Sequence, residues 1–593
     1  MITLGINAAF HDSSAAIVVD GQVVAAAEEE RFTRIKHAKR PLPFTAWELP
    51  WNAIDFCLAA AGTVLARVDH VVYSFDPQLF LAGRAEGDAI TLPLQPSATP
   101  DPRWENPWDP LFAAYTQNAP RQLADGAPHH LRARFAGVRH DGPHRFHFID
   151  HHLAHQASAF LAAPFARCAV MTLDGRGERA STTYGHFDGA RYRPLGEVQV
   201  PHSLGLLYER VTTHLGFLHS SDEYKVMALA ALGRPRFADA LAHHVPVGTT
   251  GAYQVLPLDL AALAGPLRQR GAAMAQVHLD LAASLQRVLE TTVLELARWL
   301  RQASGERHLA MAGGVALNCV MNAKLRDARI FDAVWVQPAA GDAGTALGAA
   351  LWVDACQRAT PPVDPRAAEP APLAARAWRM DHAYLGPSQT DDEVEALLRW
   401  AGLAYRRLDD TAAVADAAAG LLAQGRVLAW HQGRMEFGPR ALGARSILAS
   451  PLDAGMQARI NDLKDREDFR PVAPAVPEED LADWFSPAGA NAGRSPFMLF
   501  LYDVLPGQAQ RIPAACHADG TARVQTVAQA TNPGFHALLR AFGARTGVPV
   551  LINTSFNVRG EPVVCSAKDA VAAFHGTPID ALVIGHLLLE KPR

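Results

Sequence analysis

Short apolar runs broken by polar turns open the chain. Residues 3–7, 15–19 and 22–27 read as three strands, with His11-Asp12-Ser13-Ser14 as a polar first turn and Asp20-Gly21 as a hairpin turn. The same logic returns at residues 168–173, an apolar strand that ends in Asp174-Gly175-Arg176-Gly177-Glu178 and is followed by a second strand from Ala180. A repeat of this kind is expected of a duplicated fold. Apolar residues recur at helical spacing from 277 to 300, predicting a long amphipathic helix that feeds a strand over 308–312. Residues 334–336 read as another strand, and Gly341-Asp342-Ala343-Gly344 opens an Ala-rich helix. Pro and Ala dominate residues 360–372, the clearest linker. Beyond it a helix over 391–401 and a strand over 427–430 begin a second domain.

Composition narrows the class. The chain has 593 residues, 49% hydrophobic and 19% charged, which makes it globular and multidomain. No apolar stretch approaches a membrane span, and residues 1–6 look like a strand start rather than a signal peptide, so a cytoplasmic location is expected. The six cysteines are scattered without a CxxC pair, which argues against a disulfide framework or a zinc ribbon. Net charge is −5, so nucleic acid and anionic membranes are not expected partners and any anion site must be local. Seven lysines stand among 55 basic residues, which singles out a lysine such as Lys225 or Lys464 beside a motif.

Three stretches carry candidate chemistry. In Asp150-His151-His152-Leu153-Ala154-His155, helical geometry would put His151 and His155 on one face, one turn apart, a spacing that holds a metal ion or forms an ordinary helix surface. A carboxylate must complete such a ligand set. Asp342, at a strand-to-helix junction, is the candidate, with helix capping as its rival role. After the strand at 308–312, Gly313-Gly314-Val315-Ala316-Leu317-Asn318 reads as a turn whose backbone N–H groups suit an adenylate or phosphate, with Lys225 a second candidate near a nucleotide. In the second domain four basic loops, carrying Arg440, Lys464 with Arg470, Arg523, and Arg559, suggest a pocket for phosphates.

These stretches, in this order and over nearly the full length, resemble the O-carbamoyltransferases of antibiotic and Nod-factor biosynthesis. The matching residues are Gly5-Ile6-Asn7 through Asp12-Ser13-Ser14-Ala15-Ala16, the 150–155 and 174–178 boxes, Gly313 to Asn318, Glu436-Phe437-Gly438-Pro439-Arg440-Ala441-Leu442-Gly443 and Asn553-Thr554-Ser555-Phe556-Asn557. The resemblance implies an α/β protein: a duplicated actin-like domain over residues 1–357, with an insertion at about 80–145, a linker over 358–377, and a YrdC-like α/β domain over 378–593. It implies that carbamoyl phosphate and ATP, with Mg2+, give carbamoyladenylate in the second domain, and that the first passes the carbamoyl group to a small-molecule hydroxyl.

By the same resemblance Arg440, Lys464, Arg470, Arg523 and Arg559 bind carbamoyl phosphate and ATP, Lys464 and Arg470 also acting in catalysis. Lys225, Gly313, Gly314 and Asn318 bind the carbamoyladenylate. His151, His155 and Asp342 hold a divalent metal, Fe2+ in the family, and His11 is either the acceptor's general base or a structural histidine of its turn. The rival classes are an actin-like kinase or hydrolase and a non-catalytic nucleotide-binding regulator. The acceptor and the oligomeric state, a homodimer included, stay open.

Overall fold

The computed structural model describes residues 1–38, 49–82, 119, 144–367, 369–486 and 494–591. Most of the expected insertion, residues 83–118 and 120–143, lies outside them. Contacts divide the chain into one unit of residues 1–200, 310–314 and 339–379, and another of 201–309, 315–338 and 380–593. Segments 201–309 and 315–338, which precede the linker, thus belong with the C-terminal body. Among the described residues no helix is long and apolar enough to cross a membrane.

In the first unit the opening meander forms as the alternation requires. Ile2–Asn7 pairs antiparallel with Ser14–Val19, which pairs with Gln22–Glu28, and on its other side Ile2–Asn7 runs parallel to His70–Tyr73, itself parallel to Arg145–Phe148. A second sheet repeats the order: Tyr192–Gln199, Ala180–Phe187, Cys168–Leu173, then His308–Ala312. An antiparallel three-strand meander with a further strand beside its first member thus occurs twice, the duplicated α/β plan expected from the repeated strand-turn-strand pattern.

Two helices of this unit position the candidate ligands. His151–Phe160 starts where expected: the Asp150 side chain caps it, Oδ1 accepting the Leu153 N–H at 2.8 Å, a bond worth about 1 kcal/mol. Nine of its ten residues are buried. It lies against Ala343–Gln357, and the approach is so close that a Cβ on Gly348 would sit 1.8 Å from the Ala154 carbonyl oxygen. Only glycine fits there.

In the second unit an eight-stranded mixed sheet runs in the order Arg406–Arg407, Leu587–Glu590, Ala581–Ile584, Leu428–His431, Arg445–Ala449, Leu551–Ser555, Ala473–Pro477, Gln525–Val527. Alternate residues feed opposite faces. Leu428, Trp430, Leu448, Leu551 and Val583 meet helices Thr411–Ala423 and Pro533–Thr546 on one side. Ala429, Ile447, Ile552, Leu582 and Ile584 meet the core that holds Val394, Ile460 and Phe574 on the other. With both faces covered, the free positions are the loops between strands, and the basic residues singled out above sit there. The long helix is Gln276–Ser304, closed by Gly305 in the left-handed conformation.

Candidate functional site

The first unit brings His151, His155, Asp174 and Asp342 together, all buried, with one ligand atom from each within 4.8 Å of the others. Both Nε2 atoms lie 3.6 Å from Asp342 Oδ1 and 3.9 Å from Asp174 Oδ2. These separations are too long for hydrogen bonds. They suit donors around an ion, since two ligands about 2.1 Å from a tetrahedral centre lie about 3.4 Å apart. The remaining contacts fit the same purpose. His151 Nδ1 donates to the Ser74 carbonyl at 3.1 Å, which leaves the lone pair on Nε2. Neither Nε2 has a hydrogen-bond partner among the described residues.

Charge points the same way. Burial opposes ionisation of Asp342, but the imidazoles of His11, His151 and His155 hold it far below the usual carboxylate range. Burial also works against a charged His151, yet Asp342, Asp174 and Glu178 outweigh it and hold the imidazole up at about 10. A buried acid pair of this kind demands positive charge, whether a proton or a cation.

Asp342 heads the Ala343–Gln357 helix without capping it through its side chain. Its carboxylate instead faces the imidazoles, so the capping role weighed above is not the one it takes. Asp174 is the member that sequence reasoning missed, because an Asp-Gly turn after a strand reads as an ordinary hairpin. Its Oδ1 accepts the Gly314 N–H at 2.8 Å, so one carboxylate ties the Gly-Gly turn to the histidine pair. Glu178, four residues on, accepts the backbone N–H groups of Asp76 and His151 and anchors the start of the ligand helix. Burial, with Asp150 close by, pushes Glu178 up to about 8. His152 turns away to Thr183 Oγ1 at 3.2 Å.

His11 stands at the edge of this cluster. Its Nε2 is 3.8 Å from Asp342 Oδ2, and its Nδ1 is 2.9 Å from Asp12 Oδ2. Asp12 also meets His37 Nδ1 at 2.7 Å. Burial opposes the Asp12 charge, but the two imidazoles hold the carboxyl well below its usual range. Ionised, it takes the His11 Nδ1–H and leaves Nε2 as the basic nitrogen.

The backbone N–H groups of Gly313 and Gly314 are engaged within the fold, the first by the Ala340 carbonyl and the second by Asp174. Gly313 has φ +93°, and a Cβ there would lie 2.2 Å from the Leu173 carbonyl oxygen. Asn318 caps helix Cys319–Asp327 through Oδ1 and exchanges amide hydrogen bonds with Gln286.

The second unit gathers the cations. Lys464 closes helix Met456–Leu463, and its ammonium reaches the carbonyls of Ser555 and Asn557 and the side-chain oxygens of both, pinning the turn that carries Arg559. Arg470 lies over the Tyr224 ring at 4.6 Å. Lys225 pairs with Asp222 at 3.2 Å and Glu467 at 2.9 Å. Arg440 donates to the Leu317 carbonyl at 3.4 Å, and its loop is folded around the buried Glu436 carboxylate, which accepts the N–H groups of Leu442 and Ala444. Arg559 is half exposed, 3.8 Å from Asp465. Burial, then mutual repulsion, lowers Arg440 to about 9, and Arg523 is lowered chiefly by burial. Lys464 is pushed well down by burial and by Arg466 and Arg470. Cations crowded out of water in this way call for an anion.

Comparison with known proteins gives the family. Residues 2–351 match the model of the carbamoyltransferase N-terminus and residues 419–591 that of the carbamoyltransferase C-terminus. Nodulation protein NolNO of Sinorhizobium fredii is 38% identical over 595 residues, 99% of this chain and 80% of that one. Nodulation protein NolO of Bradyrhizobium diazoefficiens is 40% identical over 456 residues, 75% of this chain and 79% of its own length. The 3'-hydroxymethylcephem-O-carbamoyltransferase of Amycolatopsis lactamdurans is 34% identical over 404 residues, 68% of this chain and 70% of its own. With a buried His-Asp cluster in one unit, a buried arginine cluster in the other and both family models matched across them, the chain belongs to the carbamoyltransferase family and is an enzyme of the transferase class.

Proposed function

We propose that the protein is an ATP-dependent O-carbamoyltransferase that works in two steps, one at each cluster. The carrying observation is the separation of opposite charge: a buried acid-and-imidazole group suited to a cation, and a buried group of guanidiniums suited to anions. The family relation supplies the carbamoyl group, and the name of the Amycolatopsis relative supplies a hydroxymethyl acceptor as precedent.

In the first step, assigned to residues 378–593, Arg440, Arg470, Arg523 and Arg559 bind carbamoyl phosphate and ATP with Mg2+, and Lys464 serves the same pocket by holding the 555–559 turn. Water hydrolyses carbamoyl phosphate to phosphate and carbamate. A carbamate oxygen then attacks the α-phosphorus of ATP, the bond to the β-phosphate breaks, and carbamoyladenylate and pyrophosphate form. Crowded guanidiniums favour this step because they neutralise charge on the leaving pyrophosphate.

In the second step, assigned to residues 1–357, the turn at Gly313 and Gly314 binds the carbamoyladenylate. A divalent ion such as Fe2+, held by His151, His155, Asp342 and Asp174, would supply Lewis-acid polarisation of the carbamoyl oxygen. His11 Nε2, with Asp12 holding its Nδ1–H, takes the proton of the acceptor hydroxyl as the new C–O bond forms. The bond from the carbamoyl carbon to the adenylate oxygen breaks and AMP leaves.

Product identity tests the reading. Incubated with carbamoyl phosphate, ATP and Mg2+, the protein is expected to release pyrophosphate, and with an accepted alcohol to yield AMP and a carbamate ester. Accumulation of ADP, or no ATP consumption with carbamoyl phosphate present, would overturn it.

A further inference from the structure

Two loops of the first unit meet beside His11, residues 10–12 and 34–38, and neither has a relaxed backbone. Phe10, Asp12, Arg34, His37 and Ala38 have φ of 53°, 54°, 61°, 60° and 52°. Residues with a Cβ hold this left-handed conformation only where their surroundings fix it. Asp12 and His37 do the fixing. The Asp12 N–H donates to the His37 carbonyl at 3.1 Å, and the Asp12 carboxylate is shared between two imidazoles, Oδ1 with His37 Nδ1 at 2.7 Å and Oδ2 with His11 Nδ1 at 2.9 Å. An ionised carboxylate only accepts, so both rings donate to it from Nδ1.

His37 is itself held from behind. Its N–H donates to Glu30 Oε2 at 2.6 Å, Glu30 Oε1 meets Arg31 Nη1 at 2.7 Å, and Arg31 Nη2 donates to Glu28 Oε1 at 3.0 Å. Glu28, Glu30 and Arg31 are all buried. A charged run that would ordinarily lie in water is therefore folded inward as a brace for the loop that carries His37. The consequence falls on Asp12. The terminal torsion of an aspartate is soft, so a carboxylate tied by one oxygen can still turn. One tied by each oxygen to a different ring cannot.

We infer that His37 is a positioning residue for the transfer step: its Nδ1–H fixes Asp12 so that the other carboxylate oxygen keeps the His11 ring, and with it Nε2, directed at the acceptor hydroxyl. This rests on the base role proposed for His11, and the test separates the two. Transfer from synthetic carbamoyladenylate to an accepted alcohol is measured for full-length wild type, His37→Gly, His37→Asn, His11→Ala and the double variant His11→Ala/His37→Gly. Glycine and asparagine both tolerate a positive φ, so the loop backbone and its own hydrogen bonds can persist. His37→Gly should lower kcat about tenfold or more, with KM for the alcohol within about twofold and bound metal unchanged. His37→Asn, whose amide returns an N–H donor near the place of Nδ1, should recover most of the loss. On the His11→Ala background His37→Gly should change kcat less than twofold, because the ring it acts through is already gone. Wild-type kcat in His37→Gly, no recovery in His37→Asn, or an equal loss on both backgrounds overturns the inference. If His11→Ala transfers as fast as wild type, the base role itself fails. Crystal structures of wild type and His37→Gly then decide about His37: an Asp12 carboxylate turned away from His11 Nδ1 in the variant is expected, and an unmoved one contradicts the assignment.

Discussion

His151 shows how much of a site one residue's surroundings decide. Its spacing from His155 was legible because helices repeat every 3.6 residues, but spacing alone left a helix-surface or partner-bonded pair as the commoner reading. The Ser74 carbonyl on Nδ1 and two carboxylates 3.6 and 3.9 Å from Nε2 suit it to holding a cation. His151→Ala and His155→Ala are expected to lose bound metal and abolish carbamoyl transfer, measured by metal analysis of the purified protein alongside product formation. Asp174 was not legible, since nothing in an Asp-Gly turn says which way the carboxylate points. Asp174→Asn keeps an oxygen for the Gly314 N–H and removes the charge, so metal affinity should fall by about 10- to 100-fold with the fold intact. Unchanged metal content would remove Asp174 from the ligand set.

A third residue gives a pH test. His147 Nε2 lies 3.0 Å from His70 Nδ1, and burial, then the charges of His70 and Arg145, hold His147 down to about 4. An unfolded chain takes that proton near pH 6.5 and the folded one only near 4. The contribution to stability is therefore full above about pH 6.5 and is lost as pH falls toward 4. Denaturant unfolding should show wild type losing up to about 2 kcal/mol more than His147→Gln between pH 7 and 4.5.

At the scale of elements, the strand-turn-strand repeats and the long helix were readable from periodicity, because each buries one face or both against a single partner. Helix contacts were not. Nothing in the sequence near Gly348 says that its helix touches the ligand helix at the Ala154 carbonyl. Gly348→Ala should cost about 2 to 4 kcal/mol and loosen the metal site with it, seen as a lower midpoint of thermal unfolding and reduced metal retention.

The Pro- and Ala-rich stretch adds a second test at this scale. Its later part is held by Arg376, which donates to the carbonyls of Phe160, Ala163 and Phe165, and by backbone bonds from Leu373 and Ala374. Arg366 is half exposed. Brief trypsin digestion should therefore cut after Arg366 before Arg376. First cleavage at Arg376 would mean that those hydrogen bonds do not hold in solution.

For the whole molecule, the order of motifs along the chain was enough to place it among carbamoyltransferases, but not to show which segments share a body. Tyr224 and Leu317 precede the linker, yet they touch Arg470 and Arg440. No sequence period encodes such a contact, because it depends on the path of the chain between distant elements.

The central claim is that the basic cluster makes the carbamoyladenylate and the His-Asp cluster spends it. One paired assay tests this most directly. Arg470→Ala and His151→Ala are each given either carbamoyl phosphate with ATP or synthetic carbamoyladenylate, together with an accepted alcohol, and pyrophosphate and carbamoylated product are followed. Arg470→Ala should lose about 2 to 4 kcal/mol in activation and regain transfer when the intermediate is supplied. His151→Ala should still release pyrophosphate and fail to modify the alcohol under either condition. If supplied carbamoyladenylate does not rescue a folded Arg470→Ala protein, the two steps are not divided between the clusters and the account is contradicted.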